Sequence, residues 1–135
     1  MVRQIVRDPV FLAQKSEAAD RDDLPVAQDL LDTLRAHAEE CVGMAANMIG
    51  KRKRMIVIGS MFCFPMINPV ILKKQNPYMT KEGCLCLDGV RETLRFRAIE
   101  VEYYDMGFQK HRQMFYGETA QIIQHEMDHL DGILI

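Results

Sequence analysis

Gln124-His-Glu-Met-Asp-His129 places two histidines four residues apart, with a glutamate directly after the first. On a helix that spacing is ~400° of rotation and ~6 Å of rise, so His125 and His129 project from one face and can bind one ion. Glu126 lies ~100° around from His125, within reach of a water on such an ion without being a ligand. That is the position of a general base in metal-assisted hydrolysis. Two histidines on a solvated helix would show the same spacing, and a helix supplies two ligands where a catalytic site takes three. The donor of a third is Glu82-Gly-Cys-Leu-Cys-Leu-Asp-Gly89, where Cys84 follows a glycine between acidic residues, at a turn entering a strand. Cys84, His125 and His129 make a three-ligand site with an open position. Cys86 stands two residues on and faces the same way on a strand. If both thiols bind, the site is a closed, structural Cys₂His₂ centre. The pattern leaves both open.

These segments need elements to hold them. Residues 24–40 put Leu30, Leu34 and Leu31 on one stripe, with acidic residues before it and Pro25 in a first-turn position, which predicts an N-terminal amphipathic helix. Met-Ile-Val-Ile-Gly-Ser, residues 55–60, reads as a strand, as does 66–72, where Pro69 predicts a sheet edge. Residues 98–104 alternate apolar and polar, and Asp105, Met106 and Gly107 turn the chain towards Gln-Met-Phe-Tyr to make a hairpin. A last helix over 118–130 ends at Gly132. Helix, strands, then helix predicts α+β in one domain, 1–135, with Leu30, Leu34, Ile56, Val57, Ile122 and Ile123 in its core.

The 135 residues suffice for one core, and a net charge of -2 argues against bulk attraction to nucleic acid or anionic membrane. Lys51 to Arg54 therefore reads as a solvated turn. The N-terminus lacks an apolar run with a small-residue cleavage site, and no run of ~20 apolar residues occurs, so a cytoplasmic protein with no membrane partner is expected. The four cysteines are then thiols, ligands or core filler rather than a disulfide framework.

Three segments together resemble the peptide deformylase family, whose motifs run Gly-x-Gly-x-Ala-Ala-x-Gln, Glu-Gly-Cys-Leu-Ser and Gln-His-Glu-x-Asp-His. Here they read Cys41-Val-Gly-Met-Ala-Ala-Asn-Met48, Glu82-Gly-Cys-Leu-Cys86 and Gln124-His-Glu-Met-Asp-His129. The resemblance implies antiparallel sheets around a central C-terminal metal-binding helix. It implies a divalent ion, natively Fe²⁺ with Zn²⁺, Ni²⁺ or Co²⁺ as substitutes, on Cys84, His125 and His129. Glu126 would be the catalytic carboxylate, and the Leu85 backbone N–H would donate to the carbonyl oxygen. The substrate, an N-formylated nascent peptide, would pair with backbone around Val42, Gly43 and Gly83 and yield formate and a free amine. Gln124 and Asp128 would orient the helix and the histidine rings, and Arg91 would support the site through a salt bridge to Glu82.

Three departures bear on this. Met48 replaces a glutamine whose amide helps bind the formyl oxygen, and a thioether donates no hydrogen bond. Gln121, a turn before His125 on the same face, is a candidate replacement donor. Cys41 and Cys86 replace a glycine and a serine. The chain ends at Ile135, before the C-terminal helix through which many deformylases contact the ribosome, so ribosome proximity is expected without docking through that helix. Alternative readings are an attenuated or non-catalytic relative with a closed Cys₂His₂ site, and a metalloprotease, whose helix motif is completed by His or Glu rather than Cys.

Overall fold

Ala27, Leu30, Leu31 and Leu34 recur at helical spacing, and all four are buried along one stripe of helix α2, Leu24–Ala36. The computed structural model describes residues 1–59, 62–84 and 86–135. Pro25 sits in the first turn of α2, where a missing N–H costs nothing. The helix stops at Ala36 rather than continuing to residue 40, because no residue of 35–40 is buried and the chain must turn into the first strand. A short helix α1, Pro9–Leu12, precedes it, with Asp8 accepting from the Val10 N–H at 3.0 Å.

Five antiparallel strands follow in chain order, β1 Gly43–Ala45, β2 Met55–Ile58, β3 Phe64–Cys84, β4 Leu87–Tyr104 and β5 Lys110–Tyr116. All four residues of β2 are buried, as expected of a short apolar run in the middle of a core. The β4–β5 hairpin is the one the alternation predicts, and Asp105 closes its turn by accepting from Gly107 and Gln109 at 2.9 and 3.0 Å.

β3 is the third of five strands, but beyond Ile67 no strand among the described residues pairs on its β2 side, so Pro69 lies at a local edge, as expected. Proline is tolerated because β2 pairs only with residues 64–67 of β3 and the register with β4 shifts between Ile67 and Val70. At this irregularity Asn68 takes a φ of 51°, and its amide exchanges hydrogen bonds with the Ala19 backbone at 2.8 and 2.9 Å. Pro69 therefore falls where no ladder N–H is required.

Helix α3, Gly117–Leu130, leaves β5 directly and packs against β1, β2, β4 and β5. Ala120, Ile123 and Leu130 are fully buried in the shared core, with Leu30, Leu34, Ile56 and Val57. Ile122 departs from expectation: it is half-buried and faces a cavity, because the two flanking faces of α3 divide between core and site. Lys53 and Arg54 are not simply solvated, since they pair with Asp23 at 3.6 Å and Asp131 at 3.0 Å.

Gly132 ends α3 with a φ of +76°, and a Cβ there would stand 2.3 Å from the Ala13 carbonyl oxygen. Both the backbone conformation and the close approach require glycine. Gly132→Ala is expected to lower unfolding stability by roughly 1–3 kcal/mol, measured by urea denaturation.

Candidate active site

The two histidines of α3 are buried, and their Nε2 atoms converge to 3.2 Å. Two nitrogens each ~2.1 Å from a tetrahedral ion stand ~3.4 Å apart, so the pair is already spaced to share one. Cys84, the last residue of β3, brings its thiol beside them, with Sγ within 4.8 Å of a His129 ring nitrogen. His129 Nδ1 and Glu126 Oε1 are buried and have no hydrogen-bond partner among the described residues. Polar atoms buried in that state are costly. A Cys/His₂ donor set, converging nitrogens and an idle carboxylate oxygen fit a divalent cation and its water.

Cys86 is also close. Its Sγ lies 3.2 Å from that of Cys84, and donor atoms of Cys84, Cys86 and His129 lie within 4.8 Å of one another. His125, Glu126 and His129 form a second such group. The two groups share His129, so the thiols and the other imidazole meet at one ring. A closed structural centre, however, has no use for a buried carboxylate facing a cavity.

Glu82 positions the first histidine. Its Oε1 accepts from His125 Nδ1 at 2.7 Å, which turns Nε2 towards Cys84 and His129. Arg95 grips the same carboxylate through Nε and Nη2, at 3.0 and 2.7 Å, and reaches Asp128 through Nη1 at 2.7 Å. The expected Arg91–Glu82 salt bridge is therefore replaced. Arg91 is the register partner of Glu82, but Arg95 lies on the same face of β4 and is drawn across by both Glu82 and Asp128. Gln124 acts on the helix rather than on the rings: its amide bonds the Phe96 N–H and C=O, both at 2.8 Å, pinning α3 to β4 like an added strand. Asp128 acts on His125 only through Arg95 and Glu82.

Electrostatics follow from this packing. Burial raises the Glu82 carboxyl, but hydrogen bonds from His125, Arg95 and Gln121 outweigh it and hold the pKa at about 2. Burial pushes the Glu126 carboxyl up to about 7, with partial opposition from His125. Burial alone would lower His125, yet its bonds with Cys84 and Glu82 raise it to about 10, so an ion must displace a proton to bind.

A cavity of about 530 Å³ opens beside these groups, lined by Val42, Gly43, Met48, Gly83, Gln121, Ile122 and the site residues Cys84, His125 and Glu126. Gly43 is required for close approach, since a Cβ there would meet Glu126 Oε2 at 2.9 Å and Ile122 at 2.7 Å. Met48 is 1% exposed and its sulfur accepts from the Ala45 N–H at 3.4 Å. Gln121 is no exposed helix residue, but its amide donates to Glu82 at 2.9 Å and is committed there. Leu85 lies outside the described residues. Sequence reasoning missed Arg95, and it missed Asn47, whose amide bonds the His129 carbonyl at 2.8 Å and ties the first motif to the helix. Only the two-residue alternation of β4, which puts Arg95 on the face of Arg91, hinted at the former.

Arg95→Met leaves the Glu82 charge buried without its main partner and is expected to cost about 3–5 kcal/mol, read from urea unfolding at pH 7. Because the folded Glu82 pKa lies below its ordinary 4.5, its contribution is complete above that pH and is lost as the pH falls towards 2. That acid-dependent component is expected to shrink in the variant.

Comparison with known proteins agrees with this geometry. Residues 2–135 match the family described as polypeptide deformylase. A peptide deformylase of Clostridium beijerinckii is 58% identical over 137 residues, covering 100% of both chains. One from Cytophaga hutchinsonii is 35% identical, covering 94% of this chain and 75% of its own. Among solved structures, a Met-Ala-Ser-bound class I type b peptide deformylase from Acinetobacter baumannii superposes with a TM-score of 0.88 at 25% identity, covering 99% of this chain and 97% of that one. The actinonin complex of the deformylase from Vibrio parahaemolyticus bacteriophage VP16T gives 0.87 at 31% identity, over 98% and 99%. With the motifs, the fold and the cavity in agreement, the chain belongs to the peptide deformylase family.

Proposed function

We propose that this chain, as one domain, removes the N-formyl group from the N-terminal formyl-methionine of newly made polypeptides, releasing formate and a free amine. The observation that carries the reading is one cavity lined by Cys84, His125 and Glu126, with His129 buried against His125 and Glu126 Oε1 left without a partner among the described residues. Cys84, His125 and His129 would hold the ion, natively Fe²⁺, with Zn²⁺, Ni²⁺ or Co²⁺ accepted by the same donors. When bound, the ion supplies a Lewis acid that polarises the formyl carbonyl and acidifies water.

The remaining work falls to the chain. Glu126 takes the proton of the attacking water on its free oxygen and delivers it to the departing amine nitrogen, a task suited by a carboxyl that burial has moved near neutrality. Glu82 keeps the proton of His125 on Nδ1, so that Nε2 stays available. Among the described residues the outer edge of β1 pairs with no strand of the sheet, and it borders the cavity, so a peptide can add there through main-chain bonds at Val42 and Gly43, with Gly83 opposite. The Leu85 N–H is the proposed donor to the carbonyl oxygen. Met48 brings no donor, and with Gln121 committed to Glu82 the second donor of the family is missing, which is worth ~10²- to 10³-fold in turnover. The proposed setting is cytoplasmic, acting on nascent peptides near the ribosome.

The test is formate release from formyl-Met-Ala-Ser by protein loaded with ferrous iron without oxygen. Glu126→Gln is expected to lower turnover ~10²- to 10⁴-fold with bound metal unchanged. Loss of metal alongside activity would instead make Glu126 structural. Gly43→Ala, which displaces Glu126, is expected to cost on the order of 10²-fold in kcat/KM while metal content and unfolding midpoint hold.

A further inference from the structure

Nothing above uses Cys86. Its side chain is 1% exposed and does not line the cavity, whereas Cys84, half-buried, does. The two sulfurs nevertheless touch, at 3.2 Å. One thiol is thus reachable by small solutes entering the cavity, and the second is reachable chiefly by the first. Cysteines two residues apart at that separation need a sulfur movement of only ~1.2 Å to reach a disulfide bond of ~2.05 Å.

We propose that Cys84 and Cys86 are a peroxide-responsive pair, in which oxidation at the cavity-facing sulfur is captured by its buried neighbour as a Cys84–Cys86 disulfide. In the first step the Cys84 thiolate attacks one oxygen of a hydroperoxide such as hydrogen peroxide. The O–O bond breaks, hydroxide leaves, and Cys84 becomes a sulfenic acid. In the second step the Cys86 sulfur attacks the Cys84 sulfur, the S–O bond breaks, and the hydroxyl leaves as water with the Cys86 proton. Two electrons pass from the two sulfurs to the peroxide. Without a resolving thiol a sulfenic acid proceeds to irreversible sulfinic and sulfonic acids. With one, the damage stops at a bond that a small thiol reverses by exchange.

The consequence for the site rests on the proposed role of Cys84 as a ligand. A disulfide sulfur is no longer a thiolate donor, so oxidation leaves two imidazoles alone and releases the ion. Reduction restores the third ligand. Cys86 in the place of the family's serine is then a protective group rather than a fourth ligand.

The pair can be tested on the zinc-loaded full chain treated with a several-fold molar excess of hydrogen peroxide under argon. Cleavage after Lys81 and Arg91 puts both cysteines in one peptide. The expected result is that this peptide becomes lighter by two hydrogen atoms and resists alkylation, while metal appears in a chromogenic chelator; dithiothreitol reverses the mass change and lets the protein reload. In Cys86→Ser the same peptide is expected to gain two or three oxygen atoms on Cys84, and dithiothreitol to restore nothing. Oxygen addition to Cys84 in the wild-type chain with Cys86 still alkylatable, or a cross-link from Cys84 to the peptide containing Cys41, overturns the proposal. The mass readout does not depend on turnover. Protein that forms the disulfide but never released formate would sink the deformylase reading alone, and disulfide formation with metal retained would sink the role of Cys84 as ligand.

Discussion

The carboxylate of Glu82 is the charge around which the site is assembled. Taken alone, a buried carboxylate of this kind would cost several kcal/mol, which is about a domain's whole margin of stability. It is tolerated because Arg95 meets it with two nitrogens and because His125 and Gln121 donate to the same two oxygens. The four groups come from β3, β4 and α3, and Arg95 extends the chain of contacts to Asp128 one helical turn past His125's neighbour. The electrostatic need of one side chain thereby fixes how the helix sits on the sheet. His125 is oriented as a by-product of neutralising Glu82, and this makes the orientation stiff.

How far the sequence discloses this depends on the range over which each feature is determined. The pairing of His125 with His129 was legible because helix geometry is local, and Glu126 followed from the same periodicity. Cys84 was legible as a thiol beside a glycine, and the three motifs singled it out. The hairpin after Tyr104 and the end of α3 at Gly132 were likewise written in a few adjacent residues. Arg95 was not, since Arg91 and Arg95 share one face of β4 and only the register, together with the position of Asp128 on a separate element, selects between them. The open side at Pro69 was legible as an edge, but that β3 is central just before it was not, since this depends on where β2 ends, beside Ile67. Ile122 looked like core because periodicity gives a helix its apolar side without saying that a cavity intrudes there.

The first motif shows how a family site adjusts to a lost polar group. Met48 occupies the position of an amide and fills it with a buried thioether that accepts one weak bond from the Ala45 N–H. Its neighbour Asn47 keeps an amide and spends it on the His129 carbonyl, near the C-terminal end of α3, an oxygen that also accepts from the Gly132 N–H at 3.1 Å. The loop therefore grips the helix through Asn47, while the buried side chain beside it, Met48, carries no hydrogen-bond donor.

The docking of α3 against Ala13 and Asn47 has a kinetic meaning as well. The His129 carbonyl is held by a residue 82 positions away and the His125 ring by one 43 positions away, so their placement depends on more than their own helix. Closing such loops costs entropy before any contact repays it, and folds dominated by them form slowly. Bringing the ion's donors together therefore requires the long-range pairing that also seats α3 on the sheet. Affinity for the ion is then a property of the assembled chain, and the bound ion in turn draws the equilibrium towards that assembled state.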